Sequence, residues 1–284
     1  MTTLTVTNAI IAQQELSRRL ARKGKTIAIV PTMGALHEGH LSLIRRGLKK
    51  ADVVVTTIFV NPTQFAPNED LNRYPRDPQG DLNKIKQAGG QVVFIPSAAE
   101  MYPEAFETYI SVENLTRTLE GGVRPTHFRG VTTVVAKLFN IVRPDVALFG
   151  MKDYQQAMVL KRMTVDMNWP IDFVICPTVR EKDGLALSSR NRFLSPESRR
   201  QAPALYLALR AARRLVREGK TDAASIENTM RAIIGQDAPS AIVDYIAFTE
   251  METLRPVSII GKQTVASLAA RFGTVRLIDN LKIA

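Results

Sequence analysis

The chain has 284 residues, 45% of them hydrophobic and 23% charged, a balance that allows a sizeable buried core. Its formal net charge of +11 suits a polyanionic ligand such as ATP, but it is equally compatible with nucleic-acid binding. No apolar run reaches the roughly 18 residues of a membrane span, and residues 1–12 lack the regions that form a signal peptide. The single cysteine, Cys176, cannot form an internal disulfide, and it follows an apolar run. We therefore expect a buried thiol, a cytoplasmic location and no membrane partner.

The first part of the chain alternates β-branched apolar runs with helical patterns, which is typical of a parallel sheet with helices on its faces. Because the runs are almost wholly apolar, we expect strands that are buried on both faces. The predicted strands are Thr26–Val30, Val53–Val60, Gln91–Ile95, Val146–Phe149 and Ile171–Ile175. The helical patterns between them lie at Leu41–Lys50, Gly80–Ala88, Thr132–Val142 and Tyr154–Met167.

After the fifth predicted strand the pattern changes. Ser195 followed by Pro196 is a helix N-cap with proline at the first helical position, and it predicts one helix that ends near Gly219. The elements predicted beyond it are a helix at Ala223–Ile234 and strands at Ala241–Phe248, Thr264–Ala270 and Val275–Ile278. The sequence thus predicts an α/β domain over residues 1–177 and a smaller C-terminal α+β domain over residues 178–284, with a hinge at Cys176–Thr178.

The strongest functional signal is the segment Pro31–His40, PTMGALHEGH, directly after the first predicted strand. Ligands of open parallel sheets bind at the carboxyl ends of the strands. Gly34 and Gly39 let the backbone approach a ligand, and a helix that opens near Gly39 presents N–H groups to phosphate. His37 and His40 would share one face of that helix and reach the same phosphates. Their spacing differs from the zinc-binding His-Glu-x-x-His pattern, so metal ligands stay unassigned.

Two further segments carry polar groups suited to a nucleotide. The first is Gly150–Asp153. The backbone at Gly150 can approach an adenosine, Lys152 can neutralise phosphate and Asp153 can accept hydrogen bonds from ribose hydroxyls. The second is Asp183–Arg190, in which two serines precede Arg190, whose guanidinium suits a polyphosphate. Each segment alone is equally compatible with a solvated polar loop.

Two glutamines can serve a polar substrate, because an amide side chain both donates and accepts hydrogen bonds. Gln64 lies in a segment that leaves the end of the second predicted strand, and Gln156 lies at the start of a predicted helix. Gln156 alone would be interpreted as a helix-surface residue.

Four motifs lie in order along the chain, at Pro31–His40, Val60–Phe65, Gly150–Asp153 and Leu187–Arg190. Together they resemble the pantothenate synthetase family of the His-x-Gly-His nucleotidyltransferase superfamily, and the likeness extends over nearly the whole chain. The resemblance implies a Rossmann-like N-terminal domain that binds nucleotide and pantoate, a lid-like C-terminal domain and a homodimer. It also implies condensation of (R)-pantoate with β-alanine through a pantoyl-adenylate, with ATP as a substrate, Mg²⁺ as a cofactor, and AMP and pyrophosphate as products.

The resemblance assigns roles by position in these motifs. His40 is the expected catalytic proton donor, and His37 is expected to assist by contacting phosphate. Gln64 is expected to bind pantoate and β-alanine, and Gln156 to bind pantoate. The expected ATP-binding residues are Met33, Gly34, Ala35, Leu36, His37, Glu38, Gly39, His40, Gly150, Met151, Lys152, Asp153, Val179, Leu187, Ser188, Ser189 and Arg190. His127 and Arg129 are left without a role.

Three other functions compete with this interpretation. A cytidylyltransferase of the same superfamily would act on a phosphate ester, and a tRNA-charging enzyme would carry a lysine-rich phosphate loop and an anticodon-binding domain. A basic nucleic-acid-binding module is disfavoured by the low aromatic content of 6% and by the lack of a recognisable RNA-binding signature. We therefore expect no nucleic-acid partner.

Overall fold

The computed structural model describes residues 4–65, 71 and 74–284. Residues 1–3, where the segment tested for a signal peptide and the predicted N-terminal domain begin, lie outside the described residues, as do residues 66–70 and 72–73. The chain divides into two compact units. The N-terminal unit comprises Met1–Gly150 and Val159–Pro177, and the C-terminal unit comprises Met151–Met158 and Thr178–Ala284. Residues 151–158 thus associate with the C-terminal unit although they precede residue 177.

Within the described residues, the N-terminal unit holds a six-stranded sheet of order β1-β4-β3-β2-β5-β6, in which neighbouring strands are parallel. The strands are β1 (Thr5–Thr7), β2 (Ile27–Thr32), β3 (Val53–Ile58), β4 (Val92–Phe94), β5 (Val146–Gly150) and β6 (Asp172–Cys176). This order confirms the predicted Rossmann-like α/β fold. The edge strand β1 was not predicted, because it has only three residues, two of them threonine.

The interiors of β2, β3, β4 and β5 are buried on both faces, as their sequences predict, whereas β6, at the edge of the sheet, is only partly buried. Ile27 is 2% exposed, and the next three residues of β2 are fully buried. Cys176, which ends β6, is also buried, and burial raises the pKa of its thiol. The central strands therefore form a rigid base for the loops that leave their carboxyl ends.

Helices cover this sheet, and two of them begin three or more residues earlier than the periodicity predicted. The helices up to residue 166 are α1 (Ile10–Arg22), α2 (Glu38–Gly47), α3 (Pro78–Gln87), α4 (Ala98–Met101), α5 (Leu119–Val123), α6 (His127–Val142) and α7 (Tyr154–Asp166). Helix α2 starts at Glu38 rather than Leu41, and α6 starts at His127 rather than Thr132. The first turn of α2 is polar, so it lies outside the apolar repeat from which the start was predicted. The first turn of α6 contains the buried Phe128 beside His127, Arg129 and Gly130.

The C-terminal unit has an antiparallel sheet with helices packed against it, which confirms the predicted α+β class. Its sheet has the order β7-β8-β9, with β7 at Ala241–Glu250, β8 at Thr264–Phe272 and β9 at Val275–Lys282. Its further helices are α8 (Pro196–Gln201), α9 (Ala204–Arg217) and α10 (Ala223–Asp237). The final strand, β9, runs four residues beyond the predicted end at Ile278.

The single helix predicted from Ser195 to Gly219 is wrong. The cap is present, since Ser195 Oγ accepts a hydrogen bond from the N–H of Ser198 at 3.1 Å. However, the helix breaks between α8 and α9, where Pro203 has no N–H to donate to a carbonyl of the preceding turn.

Helix α9 explains much of the basic charge. Leu205 and Leu209 lie on its buried face, at 2% and 0% exposure, against the apolar residues of β8. Arg210, Arg214 and Arg217 lie on its exposed side. The stripe of arginines is thus the solvent face of an amphipathic helix. Within residues 4–65, 71 and 74–284, none of the helices combines the length and apolar character that a membrane crossing requires.

Candidate active site

The loop after β2 lies where a ligand site is expected in this type of sheet. From β2 the sheet continues through β3 and β4 on one side and through β5 and β6 on the other. The strand order therefore reverses between β2 and β5, and ligands of open α/β sheets bind at the carboxyl ends of the strands at such a point. The residues Met33–His37 leave β2 at this point and lead directly into α2.

His37 and His40 form a pair at the start of α2. His37 is the N-cap residue, and its backbone N–H donates a hydrogen bond to Nδ1 of His40 at 3.3 Å. The centroids of the two rings lie 4.1 Å apart, with the rings tilted by 41°. Because Nδ1 of His40 accepts this bond, its neutral imidazole carries the ring proton on Nε2. Gly39 allows the arrangement, since a Cβ there would lie 2.9 Å from the His37 ring.

The loop that carries the histidines is held by a buried carboxylate that no local sequence pattern indicates. Asp81, in the first turn of α3, is 1% exposed and accepts hydrogen bonds from the N–H groups of Ala35 and Leu36, both at 2.8 Å. Lys84 Nζ donates to the Leu36 carbonyl at 2.9 Å. Gly34 has a positive φ of +85°, so the loop turns there at little cost. The N–H groups of Ala35 and Leu36, which belong to the predicted ATP-binding segment, thus already donate hydrogen bonds within the protein.

Gln64 lies against the same loop. Its Nε2 group lies 2.8 Å from Sδ of Met33 and its Oε1 accepts from Nδ2 of Asn61 at 3.2 Å. Asn61 is 1% exposed, and its Oδ1 accepts from the hydroxyl of Tyr102 at 2.9 Å. Burial raises the pKa of Tyr102 to about 12, so the phenol keeps its proton near neutral pH. This network fixes which end of the Gln64 amide donates and which accepts.

Helix α6 approaches the Gln64 segment closely. A Cβ at Gly130 would lie 2.3 Å from the carbonyl oxygen of Thr63, so only glycine fits there. His127 Nδ1 lies 2.9 Å from the Gln64 carbonyl, and the guanidinium of Arg129 lies 4.5 Å above the ring of Tyr109. The sequence assigned no role to His127, but its ring contacts the backbone of Gln64, a predicted substrate-binding residue.

A second group of predicted residues meets in the C-terminal unit. Lys152, Ser188 and Arg190 line one cavity, together with Arg276, which is ion-paired with Asp244, and the buried Asp279. Cationic and hydroxyl groups that converge in this way suit an anionic ligand such as a phosphate chain. Lys152 Nζ also lies 3.3 Å from Oδ1 of Asp153.

The local backbone explains why these loop residues come together. The N–H of Leu187 donates to the Val179 carbonyl at 3.0 Å, and an antiparallel bridge joins Arg180 to Ala186. A hairpin results, and its turn contains Gly184 at a φ of +97°. A 3₁₀ helix, Ser189–Phe193, follows directly, with Ser188 as its N-cap. The hairpin thus delivers the Ser-Ser-Arg segment to the cavity.

The remaining predicted residues divide between the two units. Gly150 is the last residue of β5, in the N-terminal unit, whereas Met151 and Gln156 belong to the C-terminal unit. Met151–Asp153 form a 3₁₀ helix, and Gln156 lies half-buried in α7. Glu38 is exposed and forms an ion pair with Arg45.

Comparison with known proteins agrees with this architecture. The family model described as Pantoate-beta-alanine ligase matches residues 5–282. Pantothenate synthetase of Geobacter sulfurreducens is 50% identical over 275 residues, covering 97% of each chain, and that of Syntrophotalea carbinolica is 52% identical over 275 residues, again covering 97% of each chain.

Solved structures give the same result. The crystal structure of pantothenate synthetase from Thermus thermophilus has a TM-score of 0.93 and 44% identity, over 99% of each chain. A pantoate-beta-alanine ligase from Francisella tularensis, solved in complex with beta-gamma ATP and beta-alanine, has a TM-score of 0.80 and 34% identity over 99% of this chain and 98% of that one. The family model, the curated relatives and the solved structures together show that the chain belongs to the pantoate–β-alanine ligase family.

Proposed function

We propose that the chain condenses (R)-pantoate with β-alanine at the expense of ATP and releases AMP and pyrophosphate. The observation that carries this proposal is the His37–His40 pair at the carboxyl end of β2, with Gln64 held against Met33 of the same loop. The Francisella tularensis relative was solved with beta-gamma ATP and beta-alanine, which supports these two substrates.

The chemistry requires an activated acid. A carboxylate resists attack by an amine because its leaving group would be oxide. In the proposed first step, a carboxylate oxygen of pantoate attacks the α-phosphorus of ATP, the bond to pyrophosphate breaks, and a pantoyl-adenylate forms. The free amine of β-alanine then attacks the acyl carbon, an amide bond forms, and AMP leaves. Much of the rate enhancement comes from alignment of the reactants and from stabilisation of the charge that develops on phosphate.

In the N-terminal unit we assign the phosphate chemistry to the two histidines. His40 carries a proton on Nε2, as its bond from His37 requires, and donates it to phosphate oxygens as charge builds up. His37 contacts the same phosphates. Gln64, oriented by Asn61 and Met33, binds pantoate and β-alanine, and Gln156 binds pantoate.

In the C-terminal unit we assign Lys152, Ser188 and Arg190, which line one cavity, to the phosphate chain of ATP. Met33, Gly34, Ala35, Leu36, Glu38, Gly39, Gly150, Met151, Asp153, Val179, Leu187 and Ser189 complete the proposed ATP-binding set. Because an acyl-adenylate hydrolyses readily, the site must exclude water. We assign pantoate binding and most of the nucleotide contacts to residues 1–177, and we assign the remaining ATP contacts and the exclusion of water, as a lid, to residues 178–284.

Magnesium is proposed as the companion of ATP, and it would neutralise charge on the phosphates when bound. In the part of the chain that the structure describes, no group of three or more His, Cys, Asp or Glu side chains could enclose a metal ion. Mg²⁺ commonly keeps water ligands and binds substrate phosphates with only one or two carboxylates. We therefore propose that the ion arrives with the nucleotide. A homodimer and a cytoplasmic location complete the proposal.

An assay of AMP formation tests the proposed reaction. Purified protein is incubated with ATP and Mg²⁺, with pantoate and β-alanine added singly and together, and AMP and pantothenate are quantified. We expect sustained turnover with stoichiometric AMP and pantothenate only when both are present. Nucleotide turnover driven by a phosphate ester, without pantoate, would overturn the proposal in favour of a cytidylyltransferase-like activity.

A further inference from the structure

Asn280, in β9, binds the segment that carries Lys152. Its Nδ2 group donates hydrogen bonds to the carbonyl oxygens of Met151 and Lys152, both at 2.9 Å. The side chain is 5% exposed, so these bonds do not compete with bulk water. One amide thus holds two successive carbonyls of the short 3₁₀ helix Met151–Asp153 from a residue 128 positions away in the sequence.

The neighbouring residue, Asp279, holds the hairpin that leads to Arg190. Its carboxylate is 4% exposed and accepts two hydrogen bonds from the guanidinium of Arg180, at 2.6 and 2.9 Å. Arg180 also donates to the Gly184 carbonyl at 3.1 Å and stacks over the ring of Tyr206 at 3.7 Å. A paired guanidinium of this kind fixes direction as well as distance.

The two contacts converge on one cavity. Lys152 and Arg190 both line it, and the strand that carries Asp279 and Asn280 pairs with β8 over its whole length. The segments that carry Lys152 and Arg190 are far apart in the sequence, and both are bonded to the same strand, β9. Loss of the Asn280 bonds would leave the carbonyls of Met151 and Lys152 without this partner, while Lys152 Nζ would still lie 3.3 Å from Asp153.

We propose that Asp279 and Asn280 are positioning residues, which hold Lys152 and the Ser188–Arg190 segment in the relative placement that binds the phosphates of ATP. Asn280 acts through the carbonyls of Met151 and Lys152, and Asp279 acts through Arg180. This inference rests on the proposed function, because it takes the cavity to be a phosphate site.

Steady-state kinetics of Asn280→Leu test the inference. Leucine branches at the same carbon as asparagine but has no donor, so the carbonyls of Met151 and Lys152 lose their partner while the site stays filled. Misplacement of a charged group by about 1 Å can cost on the order of 100-fold. We therefore expect kcat/KM for ATP to fall about 10- to 100-fold, with KM for pantoate within about twofold of wild type.

Ser267→Ala is the matched control. Ser267 lies directly opposite Asn280 across the β8–β9 pair and is 5% exposed. Among the described residues its Oγ has no hydrogen-bond partner. The substitution removes a buried polar group from the same place in the sheet without touching Lys152, and we expect wild-type kinetics.

A double-mutant cycle separates positioning from a general loss of stability. If Asn280 acts through Lys152, then Lys152→Met with Asn280→Leu should lose no more than about twofold beyond Lys152→Met alone. Multiplicative losses would overturn the inference for Asn280. Far-UV circular dichroism and thermal melting verify folding. Should Asn280→Leu not fold, Asn280→Ser retains a hydroxyl donor and serves instead, with a smaller loss and the same cycle.

Asp279 is tested in the same way. Asp279→Asn keeps the shape of the side chain and removes one acceptor oxygen from Arg180. We expect kcat/KM for ATP to fall about 10-fold or more, and the loss should vanish in an Arg190→Ala background. A folded Asp279→Asn variant with unchanged ATP kinetics would overturn the role of Asp279.

Failure of the inference is distinguishable from failure of the proposed function. If Lys152→Met lowers kcat/KM for ATP but folded Asn280→Leu does not, the cavity binds ATP and only the positioning role is overturned. If Lys152→Met leaves ATP kinetics unchanged, the assignment of this cavity to phosphate is wrong, and the positioning role is overturned with it.

Discussion

The backbone N–H of His37 and Nδ1 of His40 are joined by a hydrogen bond of 3.3 Å. The bond links the N-cap of α2 to its third residue, and it decides which nitrogen of His40 holds the proton. Because Nδ1 accepts, Nε2 donates. The first turn of the helix thus sets both the orientation and the tautomer of the residue proposed as the proton donor.

Substitution of His40 tests this role. His40→Ala removes the only proposed proton donor, and general acid catalysis typically contributes about 10²- to 10⁴-fold. We expect pantoate-dependent pyrophosphate release to fall by at least this factor, while thermal melting stays near wild type because the side chain is only half-buried. Turnover close to that of wild type would remove His40 from the mechanism.

Substitution of Gln64 should weaken the binding of pantoate much more than the binding of ATP. Gln64→Ala removes an amide whose donor and acceptor ends are fixed by neighbouring residues. We expect KM for pantoate to rise about 10-fold or more and KM for ATP to change by less than about threefold. Gln79→Ala is the matched control, since Gln79 is an exposed glutamine that bonds to Asn83. Equal losses for pantoate and ATP would instead indicate that Gln64 has a structural role.

Asp81 should contribute to stability through the histidine loop. Asp81→Ala leaves the N–H groups of Ala35 and Leu36, which it binds at 2.8 Å, buried without that acceptor. We expect a loss of about 2–4 kcal/mol in the free energy of unfolding, measured by urea denaturation. Asp166→Ala, at an exposed ion pair with Arg162, should cost less than about 1 kcal/mol. Similar losses for both variants would contradict the proposed support of the loop.

Asp52 should make stability depend on pH in the acid range. It accepts hydrogen bonds from the N–H and hydroxyl of Thr26 and from Lys25 Nζ at 2.9, 3.0 and 3.0 Å. These contacts, the backbone bond of Thr26 foremost, lower the pKa of Asp52 from 3.8 to about 2. A carboxyl group with a lowered folded pKa stabilises fully above its unfolded pKa, and the contribution disappears as pH falls through the folded value.

The measurement for Asp52 is the free energy of unfolding of wild type and Asp52→Asn across pH. Their difference should be constant above about pH 5 and should shrink between about pH 4 and pH 2. A difference that does not change over that interval would contradict the assigned contacts.

The sheet was predictable because its signal is local. The runs that became β2 and β3 consist mainly of apolar and β-branched residues, which suit buried parallel strands. The two elements that were predicted wrongly also have physical explanations. The edge strand β1 has no such run, and the prediction of one helix from Ser195 to Gly219 did not take the break at Pro203 into account.

The residues that support the site were not predictable in the same way. The histidine pair is a local motif in one loop. Asp81 binds Leu36 from 45 positions away, and Asn280 binds Lys152 from 128 positions away. An acidic residue in a first helical turn and an asparagine in a strand are each common, so nothing local identifies their partners. Only the fold brings these groups together.

Transfer of oxygen from pantoate to AMP tests the central claim most directly. Pantoate labelled with ¹⁸O in its carboxylate is incubated with ATP, Mg²⁺, β-alanine and the enzyme, and the AMP is analysed by mass spectrometry. If the carboxylate attacks the α-phosphorus, the AMP released carries one ¹⁸O atom. Unlabelled AMP accompanied by pantothenate would contradict the adenylate route.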